Sequence, residues 1–198
     1  MNYDSEMDKI INSLEGSPKL LLHSCCAPCS SAVISRLSDF FLVTVYYYNP
    51  NIDTNEEYEK RKKEQIRFIN EFSTKNKVAF LDCDYDSDTY LERIKGFENE
   101  PERGARCPIC FRLRLEKTAQ KAKELGFDYF GTTLTVSPYK NSEQLNKIGL
   151  ELEKEYDIKF LVSDFKKKEG YKKSIEYSKE YNLYRQDYCG CKFSKKKI

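Results

Sequence analysis

Short apolar segments alternate with longer amphipathic segments along this chain. The short segments are rich in Leu, Val, Ile, Phe and Tyr, a composition typical of buried strands. The longer segments repeat apolar residues at helical spacing and carry charged residues elsewhere. Strands are predicted over residues 19–23, 40–50, 78–85, 128–136 and 158–165. Helices are predicted over residues 3–15, 28–37, 55–72, 88–97, 107–126, 143–156 and 170–181.

Strands that alternate with helices predict a parallel sheet built from crossover units. The expected fold is therefore α/β and Rossmann-like, with five parallel strands flanked by helices. No repeat or low-complexity linker divides the sequence, so residues 1–198 are expected to form one domain. Residues 88–118 and 183–198 are candidates for small Cys-rich elements that cap the carboxyl edge of the sheet.

Three cysteines follow the first predicted strand. Cys25, Cys26 and Cys29 lie in the stretch KLLLHSCCAPCSSAV, between the strand and a helix in which Pro28 suits the first turn. Open α/β sheets bind ligands at the carboxyl ends of strands, beside helix N-termini. A helix N-terminus also lowers the pKa of a thiol and favours the thiolate, the form that binds metals. This turn is therefore the first candidate for the chemistry of the chain.

Seven of the eight cysteines fall into three tight groups, which are CCxxC, CxxC and CxC. The second group is Cys107 and Cys110 at the start of a predicted helix, and the third is Cys189 and Cys191. Disulfide frameworks are rare in a reducing cytosol, where spaced cysteines more often bind metals or carry out redox chemistry. The isolated Cys83 is expected to be a small buried hydrophobic residue.

The first two groups together supply five thiols for a metal site. A structural zinc and an iron–sulfur cluster each need about four ligands. One thiol is then spare, or the site holds a cluster with a second metal beside it. A carboxylate would complete that second metal, and the candidates are Asp82, Asp84 and Asp187. The only histidine, His23, is expected to support the site or the core rather than to bind metal.

The third group is too tight to close around one metal. A Cys-x-Cys pair forms a small, strained disulfide, and strained disulfides are the more reducible kind. Cys189 and Cys191 are therefore expected to pass or store electrons near the cluster. The alternative is that they are two idle thiols in a flexible tail.

Charge gives little direct information about a partner. The formal net charge is +2, from 34 Lys and Arg against 32 Asp and Glu. Basic residues mixed with tyrosines over 166–173 and 192–197 can bind phosphates and stack bases, although such stretches are more often solvated helix faces. Four arginines beside the second cysteine group are further candidates for phosphate contacts, namely Arg103, Arg106, Arg112 and Arg114.

Two further features limit the cofactor and the compartment. ATP-using relatives of the adenine nucleotide α-hydrolase-like fold carry a Gly-rich phosphate loop after the first strand, where this chain carries thiols, so ATP is not expected. No apolar run approaches the roughly 20 residues needed to span a bilayer. The N-terminus is polar and acidic, unlike a signal peptide, and a cytoplasmic location with no membrane partner is expected.

Five segments in combination resemble the cobalamin-independent epoxyqueuosine reductases. They are SCCAPCS after the first strand, YNPNI after the second, RCPICFRLRLEKTA, TTLTVSPYKN and YRQDYCGC. The resemblance covers residues 19–191 and extends to every cysteine group. It is specific as a combination, although each Cys-x-x-Cys alone is not.

The resemblance implies the last step of queuosine synthesis. The epoxide of epoxyqueuosine, at the wobble position of a tRNA anticodon, loses its oxygen in a two-electron, two-proton reduction to a cyclopentene diol. The implied cofactors are a [4Fe–4S] cluster and additional iron, without cobalamin, and the implied partners are tRNA and an external electron donor. The expected metal and cofactor ligands are Cys25, Cys26, Cys29, Cys107 and Cys110. The candidates for proton donation and electron relay are Asp187, Tyr188, Cys189 and Cys191.

Two other functions are compatible with the cysteine pattern. One is a zinc-stabilised nucleic-acid-binding module without catalysis. The other is a thiol–disulfide oxidoreductase that uses Cys26 and Cys29. A sulfur-transfer enzyme acting on tRNA is a near relative of the main hypothesis, but it would need ATP to activate the base.

Overall fold

A computed structural model describes residues 1–195 of the chain. The strands are β1 to β5, in order Lys19–His23, Leu42–Tyr46, Ala79–Leu81, Tyr129–Thr132 and Lys159–Phe160. The helices are α1 to α7, in order Tyr3–Asn12, Ala27–Leu37, Asn55–Glu71, Ser87–Arg93, Arg106–Glu124, Ser142–Tyr156 and Gly170–Glu180. The alternation of strands and helices predicted from the sequence is confirmed.

All five strands run parallel in the order β3-β2-β1-β4-β5, which confirms the Rossmann-like sheet. β1 is central, with Leu20 aligned with Val43 of β2 on one side and with Tyr129 of β4 on the other. The chain builds one half of the sheet outward from β1 and then crosses back to β4. Such a reversal opens a crevice at the carboxyl ends of the two strands, where ligands bind in this class of fold.

β1 is buried on both faces because its side chains alternate between two apolar layers. Leu20 and Leu22 pack with α1, α2 and α3 on one face. Leu21 packs with α4, α5 and α6 on the other. Each fully buried leucine stabilises the fold by roughly 1.5–3 kcal/mol. The turn that follows β1 is therefore anchored to the most rigid part of the sheet.

Four of the five strands are shorter than predicted, most clearly β4 and β5. The segment predicted as a strand over 128–136 leaves the sheet at Thr132 and continues as a 3₁₀ turn over Thr133–Val136. The side chain of Thr132 accepts a hydrogen bond from the amide of Leu134 and starts this turn. Beyond β5, the amide of Ser163 donates to the side chain of Asn146 instead of to a neighbouring strand.

Within residues 1–195, no helix is both long enough and apolar enough to cross a membrane. The region 88–118 contains α4 and the first half of α5, and the described part of 183–198 is an irregular tail that ends in a short 3₁₀ turn over Lys192–Ser194. The treatment of 1–198 as one domain with these two regions as capping elements stays a prediction.

Candidate metal and redox site

The turn between β1 and α2 brings three thiols together. Cys26 is the N-cap residue of α2, with an extended backbone and no side-chain hydrogen bond to the first turn of the helix. The sulfurs of Cys25, Cys26 and Cys29 all lie within 4.8 Å of one another. Within residues 1–195, no other group of three or more His, Cys, Asp or Glu side chains is as close.

The three thiols of this turn differ in acidity. Hydrogen bonds from Cys26 and Cys29 lower the pKa of Cys25 well below its usual value, although burial opposes this, and the charge of Arg114 adds to the effect. The hydrogen bond to Cys25 raises the pKa of Cys26 to about 12, and hydrogen bonds to both neighbours raise that of Cys29. Cys25 is thus the preferred thiolate, the form that binds a metal.

The other four grouped cysteines line a cavity at the carboxyl edge of the sheet. It has about 330 Å³ of empty volume, part of it open to solvent. Cys107 and Cys110 enter from the first turn of α5, and Cys189 and Cys191 enter from the tail. The remaining lining residues are Asn51, Tyr90, Glu102, Arg106, Phe111, Arg114, Lys140 and Ser194.

The two α5 thiols have different surroundings. The sulfur of Cys107 accepts a hydrogen bond of 3.2 Å from the amide of Arg103. Cys110 is buried, and burial raises the pKa of its thiol. Neither sulfur belongs to the close group formed by the β1–α2 turn. That all five thiols share one cofactor stays a prediction.

Cys189 and Cys191 form the tail half of the cavity. The hydrogen bond from Cys191 lowers the pKa of Cys189, burial opposes this, and the positive charge of Lys140 lowers it further. The bond to Cys189, together with burial, raises the pKa of Cys191, whose sulfur lies 3.1 Å from the Tyr90 hydroxyl. All eight cysteines, which lie within the described residues, are free thiols. Redox cycling of the pair stays a prediction.

Asp53, in the loop after β2, holds the tail in place. Its amide donates to the Gly190 carbonyl over 3.0 Å. Its carboxylate accepts from the Tyr188 hydroxyl at 3.0 Å and pairs with Lys195 at 2.7 Å. Burial raises the pKa of Asp53, but the bonds from Lys195 and Tyr188 outweigh it and keep the pKa below its ordinary 3.8. Asp53 therefore contacts the tail before, within and after the Cys-Gly-Cys segment.

Arg114 connects the two thiol groups. The residue is only 3% exposed, and its guanidinium donates to His23 Nε2 at 3.2 Å and to Asn49 Oδ1 at 2.7 Å. Its Nη1 lies 3.9 Å from the sulfur of Cys110. Within residues 1–195 no carboxylate pairs with this buried cation. A buried cation needs a nearby negative charge, and the groups at hand to provide it are thiolates.

His23 supports the site, in line with the sequence-based expectation. Its Nδ1 lies 3.1 Å from the Thr132 hydroxyl, and its Nε2 accepts from Arg114. Nε2 also lies 3.1 Å from the backbone carbonyl of Tyr48. Burial, with the charge of Arg114, lowers the pKa of His23 to about 3. The neutral ring thus fixes the direction of the guanidinium.

The predicted acids do not line the cavity. Asp187 is exposed, and Tyr188 directs its hydroxyl to Asp53. Asp82 and Asp84 line a separate open groove, where Asp82 pairs with Lys62. The roles given to these residues as proton donors or metal ligands stay predictions.

Cys83 lies in the same separate groove, half-buried at the end of β3. Its sulfur donates to the carbonyl of Tyr47 over 3.1 Å, and Tyr58 donates to its carbonyl. Burial raises the pKa of its thiol to about 11. These contacts agree with a structural role for Cys83 apart from the two thiol groups.

Two of the four arginines predicted to contact phosphate are buried inside the protein, so this prediction is wrong for them. Arg114 faces the thiols, and Arg106 donates to backbone carbonyls of residues 97–100. Arg112 pairs with Glu155 and Glu151 on the outer face of α5 and α6. Arg103 alone is exposed and free of an ion pair within the described residues.

Several lysines of the basic stretches pair with neighbouring acids. In 166–173, Lys166 pairs with Asp164, Lys168 with Asp8 and Lys172 with Glu169. In 192–197, Lys195 pairs with Asp53, and residues 196–198 lie outside the described residues. These contacts favour the interpretation of 166–173 as solvated surface with structural ion pairs.

Sequence reasoning missed the polar residues that surround the thiols. Asn49, Asn51, Asp53 and Lys140 approach the site from loops after β2 and after the 3₁₀ turn. The only signal was position, since Asn49 and Asn51 stand in YNPNI and Lys140 in TTLTVSPYKN. Loop residues that follow strands at the carboxyl edge are candidates in any such fold.

Comparisons with known proteins agree on one family. A family model described as "Epoxyqueuosine reductase QueH" matches residues 20–197. The protein of that name from Streptococcus pyogenes serotype M1 is 46% identical over 99% of this chain and 79% of its own length. The one from Staphylococcus epidermidis is 43% identical over 98% of this chain and 84% of its own. The one from Thermotoga maritima is 36% identical over 88% of this chain and 89% of its own length. The matched thiol turn, the cysteine-lined cavity and this agreement together place the chain in the epoxyqueuosine reductase QueH family.

Proposed function

We propose that this chain removes the epoxide oxygen of epoxyqueuosine in the anticodon of tRNA, giving queuosine, with a [4Fe–4S] cluster and an adjacent iron. The ligands would come from Cys25, Cys26, Cys29, Cys107 and Cys110. Membership of the family supports the reaction, since the relatives carry the name epoxyqueuosine reductase. The observation that supports the cofactor is the charge balance around the two thiol groups.

That charge balance favours an anionic centre. Arg114 is buried between the two thiol groups without a carboxylate partner among the described residues. Lys140 is also largely enclosed, with a side chain 11% exposed that pairs weakly with Glu102 at 3.9 Å. Thiolate ligands are fully deprotonated in iron–sulfur sites, so a cluster would supply the negative charge that Arg114 lacks and that Lys140 finds only weakly in Glu102.

When bound, such a cluster with an adjacent iron would pass electrons from an external donor and would offer a Lewis-acid position for an oxygen atom. The chain itself supplies a cavity that is partly shielded from water and an ammonium group inside it. Burial disfavours the charge of Lys140, but the negative charges of Cys189 and Cys110 outweigh this and raise its pKa. Lys140 Nζ therefore keeps its proton at neutral pH and can donate a hydrogen bond into the cavity.

Anaerobic purification followed by two measurements tests the proposal. Iron, sulfide and zinc contents are determined together with visible absorbance, and the nucleosides of epoxyqueuosine-containing tRNA are analysed by mass after incubation with a chemical reductant. We expect a coloured protein that contains iron and sulfide and converts epoxyqueuosine to queuosine. An active protein that contains no iron would overturn the proposal.

A pair of matched cysteine variants locates the ligands. Cys110→Ser removes a buried sulfur of the cavity, and we expect it to lose most of the iron and the activity. Cys83→Ser makes the same atomic change in the separate groove, where a hydroxyl can still donate to the Tyr47 carbonyl. We therefore expect Cys83→Ser to keep iron content and activity within about 2-fold of the unaltered protein.

The same measurements separate the other two functions. A zinc-stabilised binding module would be colourless and contain zinc without sulfide. A thiol–disulfide oxidoreductase that uses Cys26 and Cys29 would remain active when Cys107 and Cys110 are both changed to serine.

A further inference from the structure

Tyr139 is the most exposed aromatic side chain among the described residues. It is 60% exposed, whereas the next aromatic, Phe40, is 41% exposed. The guanidinium carbon of Arg103 lies 5.5 Å from the centroid of the Tyr139 ring. Arg103 has no ion-pair partner within residues 1–195. A solvent-facing aromatic ring beside a free guanidinium is a surface that leaves two recognition groups available.

This pair lies next to residues that line the cysteine-lined cavity. The chain neighbours of the pair, Glu102 and Lys140, both line the cavity and form an ion pair across it at 3.9 Å. The amide of Arg103 donates to the sulfur of Cys107. The ring and the guanidinium are therefore tied to the same loops that carry cavity residues.

Local hydrogen bonds shape both loops before any ligand binds. The amide of Tyr139 donates to the hydroxyl of Ser137, and the amide of Lys140 donates to the carbonyl of Ser137. On the other loop, the amide of Ala105 donates to Glu100. Arg103 has a backbone φ of 72°, a left-handed conformation that residues other than glycine rarely adopt. Strain of this kind is found more often at binding sites than elsewhere.

We propose that Arg103 and Tyr139 form a platform on which an unpaired nucleotide of the RNA substrate stacks beside the cavity. This rests on the proposed function, because it assigns a contact to the substrate of that same site. Unpaired bases in RNA stack on aromatic rings and on guanidinium planes, and a guanidinium also binds phosphate. Stacking here places the neighbouring nucleotide next to the cavity, where the reaction takes place.

Affinity for RNA tests the platform directly. The probe is a fluorescent hairpin RNA with the loop sequence of an anticodon arm, titrated with the anaerobically purified, iron-loaded protein. Tyr139→Leu keeps the bulk and removes the aromatic face, and we expect affinity to fall about 10-fold. Tyr139→Phe keeps the face, and we expect affinity within about 2-fold of the unaltered protein. Arg103→Gln should weaken binding and make the affinity less dependent on salt.

A matched control variant and three further measurements separate a loss of RNA binding from a loss of folding or of iron. Phe40→Leu changes an exposed aromatic ring just before β2, at the amino ends of the strands, and should leave RNA affinity unchanged. Iron content and thermal stability should be unaltered in Tyr139→Leu, and KM for epoxyqueuosine-containing tRNA should rise more than kcat falls. If Tyr139→Leu reduces that tRNA with unchanged KM and binds the hairpin RNA with unchanged affinity, the platform is overturned and the proposed function stays intact. An unaltered protein that neither binds the hairpin nor reduces the tRNA would overturn both.

Discussion

The two thiol groups of this protein are built in opposite ways. Cys25, Cys26 and Cys29 come from one turn that leaves the central strand of the sheet and starts a helix. The cavity group combines the first turn of α5 with a tail that has little regular structure of its own. The first group depends mainly on local backbone geometry, with one contact from the tail, in which Gln186 donates to the sulfur of Cys26 over 2.9 Å. The second group depends on contacts made by distant side chains.

This difference indicates which group can move. The β1–α2 turn is anchored in both apolar layers of the core and opens only with the sheet itself. The tail is held by Asp53, by the stacking of Phe193 on Arg106, and by the contact between Cys191 and Tyr90. The two cysteines of the tail can therefore change their geometry more easily than the three thiols of the turn.

The largest expected effect comes from the residue that joins the two groups. Arg114→Met removes the buried charge while keeping a similar volume, and it leaves His23 and Asn49 without their donor. Loss of such an outer partner of a metal site typically costs roughly 10–100-fold in metal affinity or activity. We expect a loss of that size in reductase activity or iron content, and a more negative reduction potential of the remaining cluster.

Arg114→Lys is the matched control for the charge of this residue. The lysine keeps one positive charge but lacks the planar donors that reach His23 and Asn49 together. We expect an intermediate effect on activity and a reduction potential close to that of the unaltered protein. Equal potentials in Arg114→Met and the unaltered protein would show that the guanidinium does not balance the charge of the site.

The next effect concerns the backbone of the tail. Gly190 has a φ of 104°, and a Cβ there would lie 3.0 Å from Ile52 Cγ1 and 3.2 Å from Arg61 Nη1. Gly190→Ala should therefore destabilise the docked tail by about 1–3 kcal/mol. We expect faster amide hydrogen exchange in residues 183–195 and unchanged exchange in α2. Equal acceleration in both regions would contradict the independence of the two groups.

The sequence predicted the first thiol group much better than the second. The bounds of β1 and the position of Cys25, Cys26 and Cys29 follow from local patterns, namely an apolar run followed by a helix start. The cavity group depends on the path of the tail, which has no periodicity to read. Its two halves come together through contacts such as that between Cys191 and Tyr90.

The arginines of α5 show that the sequence also does not predict which of two neighbouring side chains is buried. Arg112 and Arg114 stand two positions apart in FRLRLEK and look equally exposed by composition. The turn of the helix directs Arg112 to the glutamates of α6 and Arg114 under the carboxyl edge of the sheet. Only the packing of α5 against β1 and β4 separates a surface cation from a buried one.

A smaller effect is expected from the carboxylate that holds the tail. Asp53→Asn keeps an acceptor for Tyr188 and loses the charge that pairs with Lys195. Such a change costs about 1 kcal/mol, which is roughly a 5-fold rise in the open fraction of the tail. Alkylation of Cys189 and Cys191 should accelerate by that factor while exchange of the α2 amides stays constant. An unchanged alkylation rate would show that Phe193 and Tyr90 hold the tail without Asp53.

The smallest effect is the pH dependence of the same contact. The folded-state pKa of Asp53 is below its ordinary 3.8, so its contribution is complete above that value and is lost as pH falls through the folded pKa. Cys189 and Cys191 should therefore react faster with an acid-active disulfide reagent below pH 3.8. The increase in rate should not exceed the factor by which Asp53→Asn accelerates alkylation at neutral pH. Asp53→Asn itself should lack this dependence, because an amide does not titrate in that range. Within residues 1–195 no carboxylate bonds to the β1–α2 turn. An acid transition of equal size in the exchange of the α2 amides would therefore mean that protonation opens the sheet rather than the tail.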